Sequence, residues 1–172
     1  MSQFEYINTF TSFLFAIMAG RVLVTFSELV IRKISWYHVG WLCVLTLNML
    51  QTWWLRWSGN EQTYSYIDYL VFTSIAFTLA FSVAVLTPTD SPDDWSEFFQ
   101  TRRIKFFASY AVFWLTLVGS NYYFEGQWQG AVSAMILCIL GALISNRHFQ
   151  SLLVIFFLGM FSFRIYLLGA AT

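Results

Sequence analysis

Charge is what this chain has least of. Its 9 Lys and Arg and 9 Asp and Glu make up 10% of 172 residues, where a soluble domain carries about a quarter. With 58% hydrophobic residues and a mean hydropathy of +0.62, a water-soluble fold would have nowhere to hide its apolar surface. Cysteine is nearly absent too. Cys43 and Cys138 lie apart within apolar runs, as small buried hydrophobes, and a structural zinc site needs four nitrogen or sulfur ligands close together. No metal and no cofactor is therefore expected. Also missing are a carboxylate pair, a nucleophile elbow and a phosphate-cradling glycine loop, so the sequence names no catalytic residue and an enzyme is not the expectation. The start, Met1 to Glu5, lacks a basic n-region, so the first apolar run is expected to stay in the mature protein.

What remains is a succession of long apolar runs. Each crossing of a hydrocarbon core needs about twenty residues, and the runs do not alternate as barrel strands would. The expected fold is all-α: one polytopic transmembrane bundle over 1–172, with helices near 5–31, 36–57, 65–87, 104–124, 128–145 and 148–169. Between the third and fourth, Ser91 reads as an N-cap with Pro92 at the first helical position and Asp93 and Asp94 in the first turn. Trp95, Phe98, Phe99, Arg102 and Phe106 then recur at helical spacing. The pattern predicts a short interfacial helix over 92–104.

Basic residues near helix ends set the orientation. Arg32, Lys33, Arg102, Arg103, Lys105 and Arg147 fall on one side and Arg56 alone on the other, which places both termini on the non-cytoplasmic side of an inner membrane. Aromatic belts explain most tryptophans, with Trp36, Trp41 and Trp95 at the inner border and Trp53, Trp54, Trp57 and Trp128 at the outer one. Trp114 falls mid-helix and reads as bundle packing in preference to ligand stacking. Ala76-Ala80-Ala84 and Gly130-Ala134-Cys138-Ala142 form two small-residue stripes that permit close helix approach, within one chain or in a homo-oligomer.

Intramembrane polar residues are the candidate functional positions. Arg21 sits about ten residues from the inner end of the first helix, with Thr25 and Glu28 on the same face, and reads either as an anion or proton path or as a buried pair. Asn48 and Gln51, one turn apart, read as interhelical hydrogen-bonding groups. Asp68 and Arg164 lie at similar depth and are expected to be able to pair. His38 and His148, both at inner helix ends, are weak candidates for bis-imidazole haem ligation.

Three function classes follow: a sensor or interaction module that engages lipid or a membrane or cytoplasmic protein partner, an oligomeric ion or small-solute channel or transporter with Arg21 on the path, and, well behind, an electron carrier using the histidines. No nucleic-acid partner is expected. Phe4-Glu5-Tyr6-Ile7, Gly20-Arg21, the basic turn, Trp36-Tyr37-His38 with Trp41, Gln51-Thr52-Trp53-Trp54, Pro88 with Asp90, and Phe98-Phe99 before Arg102-Arg103 together resemble a group of small, uncharacterised bacterial multi-pass membrane proteins. That resemblance spans about the first two thirds of the chain and implies membrane topology without an activity. Phe26-Ser27-Glu28 after Arg21 is also similar to the Arg and Phe-Ser-Asp signature in the first helix of lysosomal-type potassium channels. There the spacing is one residue shorter, Asp stands for Glu, and the motif lies at the other end of the helix.

Overall fold

An apolar run satisfies its own backbone most simply as a helix, and helices are what these runs form. The computed structural model describes residues 3–31, 35–57, 65–124 and 129–170. They make α1 (Gln3–Ile31), α2 (Trp36–Trp57), α3 (Tyr66–Leu86), α4 (Trp95–Phe124), α5 (Gln129–Leu143) and α6 (Arg147–Ala170), with no strand among the described residues. Inside the helices, hydroxyls bond back to carbonyls of the preceding turn, as Thr25 Oγ1 does to Arg21 O at 2.9 Å and Thr46 Oγ1 to Leu42 O at 2.8 Å. Such groups then present no free donor to an apolar neighbour.

Helix ends are set by local chemistry. Ser65 and Asp68 close a reciprocal capping box at the start of α3, with Ser65 N donating to Asp68 Oδ2 at 2.7 Å and Asp68 N to Ser65 Oγ at 3.2 Å. At the other end Thr87 turns extended, at φ −111 and ψ 92, because the following Pro88 disfavours helical backbone before it. Asp94 starts α4: its Oδ1 accepts from the N–H groups of Ser96 at 2.6 Å and Glu97 at 3.1 Å.

These contacts correct the expected interfacial helix. The segment 92–104 is no separate element. Its helical part is the beginning of a continuous 30-residue α4, capped by Asp94 and not by Ser91. Its aromatic face is turned inward, with Trp95, Phe99 and Phe106 buried, so it packs on protein where headgroups were expected. Trp41 is likewise buried against protein, while Trp36 and Trp53 are exposed. Trp54, Trp57 and Trp128 lie outside the described residues or side chains.

The odd-numbered helices end, and the even-numbered ones begin, at one end of the bundle. Around it α1 packs on α3, α3 on α4, α4 on α5, α5 on α6, α6 on α2 and α2 on α1, with α2 also reaching α3 and α4. An aromatic core fills the interior. The Trp41 ring centroid stands 5.3 Å from Phe106, 5.0 Å from Phe107 and 5.6 Å from Phe157, while Tyr110 stacks on Phe106 at 5.6 Å and Phe113 at 5.6 Å. Trp114 packs on Tyr110, Phe113 and Phe157.

Two glycines mark close approaches. A Cβ on Gly40 of α2 would collide with Val154 of α6, and one on Gly141 of α5 would lie 2.6 Å from Phe107 of α4. The small-residue stripes are part buried and part exposed: α5 buries Ala131, Ala134, Cys138 and Gly141 while Gly130 is exposed, and in α3 Ala76 is buried but Ala84 exposed. Among the described residues two helices are long and apolar enough to cross a membrane, Asn8–Leu29 within α1 and α3 itself. Gln129–Leu143 and Arg147–Phe163 are shorter apolar helices.

Candidate functional site: a polar layer at the basic end

The C-terminal carbonyls of a helix lack intrahelical donors and carry the negative end of its dipole. At the end of the bundle that holds Arg102, Arg103, Lys105 and Arg147, two such termini are met by arginines from neighbouring helices. Arg21 Nη2 donates to Thr87 O, at the close of α3, at 2.5 Å. Arg103 Nη1 donates to Gly141 O, near the close of α5, at 3.2 Å.

The first contact revises the expectation for Arg21. Its charged group reaches the end of α3 and sits beside a backbone carbonyl, not midway along the bundle among side chains. Arg21 and Glu28 each grip the α3–α4 connection separately. Ser91 Oγ donates to Glu28 Oε2 at 2.7 Å, so the face of α1 that carries Arg21, Thr25 and Glu28 holds residues 87 and 91 at two points. The connection is thereby fixed along α1.

Gln150 joins Arg103 on α5. Its Nε2 donates to Gly141 O at 3.0 Å and to Ile144 O at 2.8 Å, which ties the first turns of α6 to the end of α5. Arg103 Nε and Gln150 Oε1 are buried without a hydrogen-bond partner among the described residues. Sequence reasoning missed both residues by counting Arg103 as a loop charge. A signal was present: Arg103 stands between Phe99 and Phe107 at four-residue spacing, and Gln150 is one turn before Leu153 and Val154, so each lies on a helix face that is otherwise core.

His38 lies in the same layer. Its ring is fully buried, 5.0 Å from Trp95, 5.9 Å from Phe98 and 6.1 Å from Phe99. The Leu86 backbone interacts with the ring, although neither nitrogen completes a well-formed hydrogen bond among the described residues. His148 is exposed, with its backbone N–H on Asn146 Oδ1 at 2.8 Å. The two histidines differ in setting, since aromatic rings enclose His38 while His148 is exposed. No group of three or more His, Cys, Asp or Glu among the described residues converges to hold a metal ion.

Away from this layer, Asn48 Nδ2 donates across to Tyr110 Oη at 2.6 Å and to Val44 O at 3.0 Å, linking α2 to α4. Gln51 is half-buried. Asp68 is committed to its capping box, and the side chain of Arg164, its expected partner, lies outside the described residues. The chain matches no family model, no curated protein and no solved structure.

Proposed function

We propose that the chain is an integral inner-membrane protein with all six helices in the bilayer and both termini on the non-cytoplasmic side, working as a sensor or interaction module. Support for embedding comes from the outward faces. The apolar stretch of α3 is only 33% buried, and Ile67, Leu70, Phe77 and Phe81 stand exposed along it. A soluble core helix would bury such residues; a helix that is apolar all round and half uncovered suits lipid. The basic end, where Arg102, Arg103 and Lys105 lie in the opening turns of α4 and Arg147 begins α6, is the cytoplasmic side by the retention of positive charge. About 30 Å of α4 then follows Lys105, and its first turns project into the headgroup region.

The observation that carries the module reading, in preference to conduction, is the filled interior. Trp41, Phe106, Phe107, Tyr110, Phe113 and Phe157 are all 0% exposed and occupy the space between α2, α4 and α6, while Arg21 is engaged by a carbonyl. A path for ions or solutes through one protomer would have to displace that cluster. The working surface of the module is the cytoplasmic end, where the α3–α4 connection is held on α1.

Two measurements test this reading. The protein is expected to remain in the membrane pellet after alkaline carbonate extraction, and release into the supernatant would overturn the embedding. Reconstituted proteoliposomes are expected to be as tight to K+, Cl− and H+ as protein-free vesicles. Flux above that background would replace the module with a channel or transporter whose path runs between protomers.

A further inference from the structure

On the lipid-facing side, α3 and α4 enclose a groove of about 850 Å³. Its walls are Phe77 and Phe81 on α3 and Val112 on α4, and Ala84 and Ala108 supply the concavity. The hydroxyls in its floor are spent within their own helices: Thr78 Oγ1 donates to Ser74 O at 2.9 Å and Ser109 Oγ to Phe106 O at 2.8 Å. A chain lying here meets hydrocarbon. At the basic end the groove changes character, for Arg102 and Lys105 line it, one helical turn apart and both exposed. The Arg102 guanidinium carbon stands 5.7 Å from the centre of the Phe98 ring.

The α1–α2 crevice provides the contrast. It is about 460 Å³, lined by such residues as Phe15, Ala19, Leu23, Met49 and Trp53, with no charged side chain. Acyl chains fit both grooves, but only the α3–α4 groove ends in two cations at headgroup level.

We propose that the α3–α4 groove is a binding site for one anionic phospholipid of the cytoplasmic leaflet, its phosphate between Arg102 and Lys105 and an acyl chain against Phe77, Phe81 and Val112. The proposal rests on the membrane reading above and deepens it by naming what the module engages. Charge complementarity selects the occupant: anionic lipid is concentrated on the cytoplasmic face and is attracted by Lys and Arg placed at its surface, whereas a zwitterionic lipid gains little from two cations. The site would couple lipid composition to the start of α4, whose first turns pack on His38.

The test is native mass spectrometry of the detergent-purified protein titrated with dioleoylphosphatidylglycerol or dioleoylphosphatidylcholine. Preferential retention of one phosphatidylglycerol is expected. Each cation at an anionic surface contributes about fivefold, so Arg102→Gln with Lys105→Gln is expected to weaken that retention roughly 30-fold, with phosphatidylcholine retention unchanged. Arg147→Gln removes an exposed charge from the same end but outside the groove and is expected to leave the first lipid in place. Ala108→Trp fills the groove with the cations intact and is expected to lower retention of both lipids. Gel filtration and circular dichroism establish that each variant is folded.

Equal retention of the two lipids, wild-type affinity in the double variant, an equal loss in Arg147→Gln, or displacement by glycerol phosphate as effective as by whole lipid would each overturn the site. A chain that stays in the carbonate pellet yet shows any of these refutes the lipid site alone. Release from the pellet refutes the membrane reading beneath it.

Discussion

Gly40→Ala tests the packing of α2 on α6 at one atom. The added Cβ would stand 3.2 Å from Val154 Cγ2, 3.4 Å from its Cβ, and closer still to Cγ1. Valine in a helix holds essentially one χ1 rotamer, so the methyls cannot swing aside and the helices must part by about 1 Å, a gap that forfeits much of the dispersion between them. The expected loss is about 1–3 kcal/mol, the usual cost of overpacking. Val154→Ala alone removes two methyl groups and should cost about 1–2 kcal/mol. When the two are combined, the methyl added at position 40 occupies the space Val154 vacates, and the double variant should be nearly as stable as Val154→Ala. That implies a coupling of about 1–3 kcal/mol in a double-mutant cycle. Unfolding in mixed micelles titrated with dodecyl sulfate, followed by far-ultraviolet circular dichroism, measures all four proteins. Losses that simply add, within about 0.5 kcal/mol, would show that Gly40 is not the contact point and that the α2–α6 spacing is set elsewhere.

The same assay carries three more predictions. Gly141→Ala should destabilise by about 1–3 kcal/mol, because three Phe107 ring atoms lie 2.6–2.9 Å from the new Cβ; Gly119→Ala, with nothing within 4 Å, should be neutral or stabilising by up to about 1 kcal/mol. Tyr110→Phe should cost about 0.5–1.5 kcal/mol by removing the α2–α4 hydrogen bond from Asn48, and adding Asn48→Leu should cost less than in the wild type. If the second substitution costs as much in either background, the two side chains do not interact. His38→Phe should fold with wild-type stability or better, since the imidazole has aromatic neighbours and no well-formed hydrogen bond among the described residues to lose; a loss above about 2 kcal/mol would mean that a polar partner, such as the Leu86 backbone, holds the ring.

The positions of the helices were largely legible because apolar length and polar punctuation are local properties. Pro88 ends α3 and Ser65 with Asp68 begins it, as short-range chemistry dictates. Which face each helix turns to its neighbours was not legible. In a membrane the two alternatives would be equally apolar, so the Trp95–Phe99–Phe106 stripe fits headgroups and helices alike, and the stripes that hold Gly130 and Ala84 fit a neighbour in the same chain or in another copy. The partner of Arg21 was hidden for another reason. It is a backbone carbonyl, to which every residue type contributes equally, and only the tertiary placement of the α3 terminus selects Thr87. Asn48, by contrast, is a buried amide on an apolar run, and its expected cross-helix bond is present because few other groups could satisfy it.

On the membrane reading proposed above, the described heights of α3 and α5 have a consequence for the surrounding bilayer. The fifteen described residues of α5 rise about 22 Å, whereas the 21 residues of α3 rise about 31 Å, close to the hydrocarbon thickness. With α3 and α5 on opposite flanks of α4, an embedded bundle would present a full-height wall on the α3 flank and a lower one along the described residues of α5. Lipids beside the low wall must shorten or tilt, a mismatch costing fractions of a kcal/mol per Å. The protein would therefore sit most comfortably where the membrane is already thin or its leaflets are being bent.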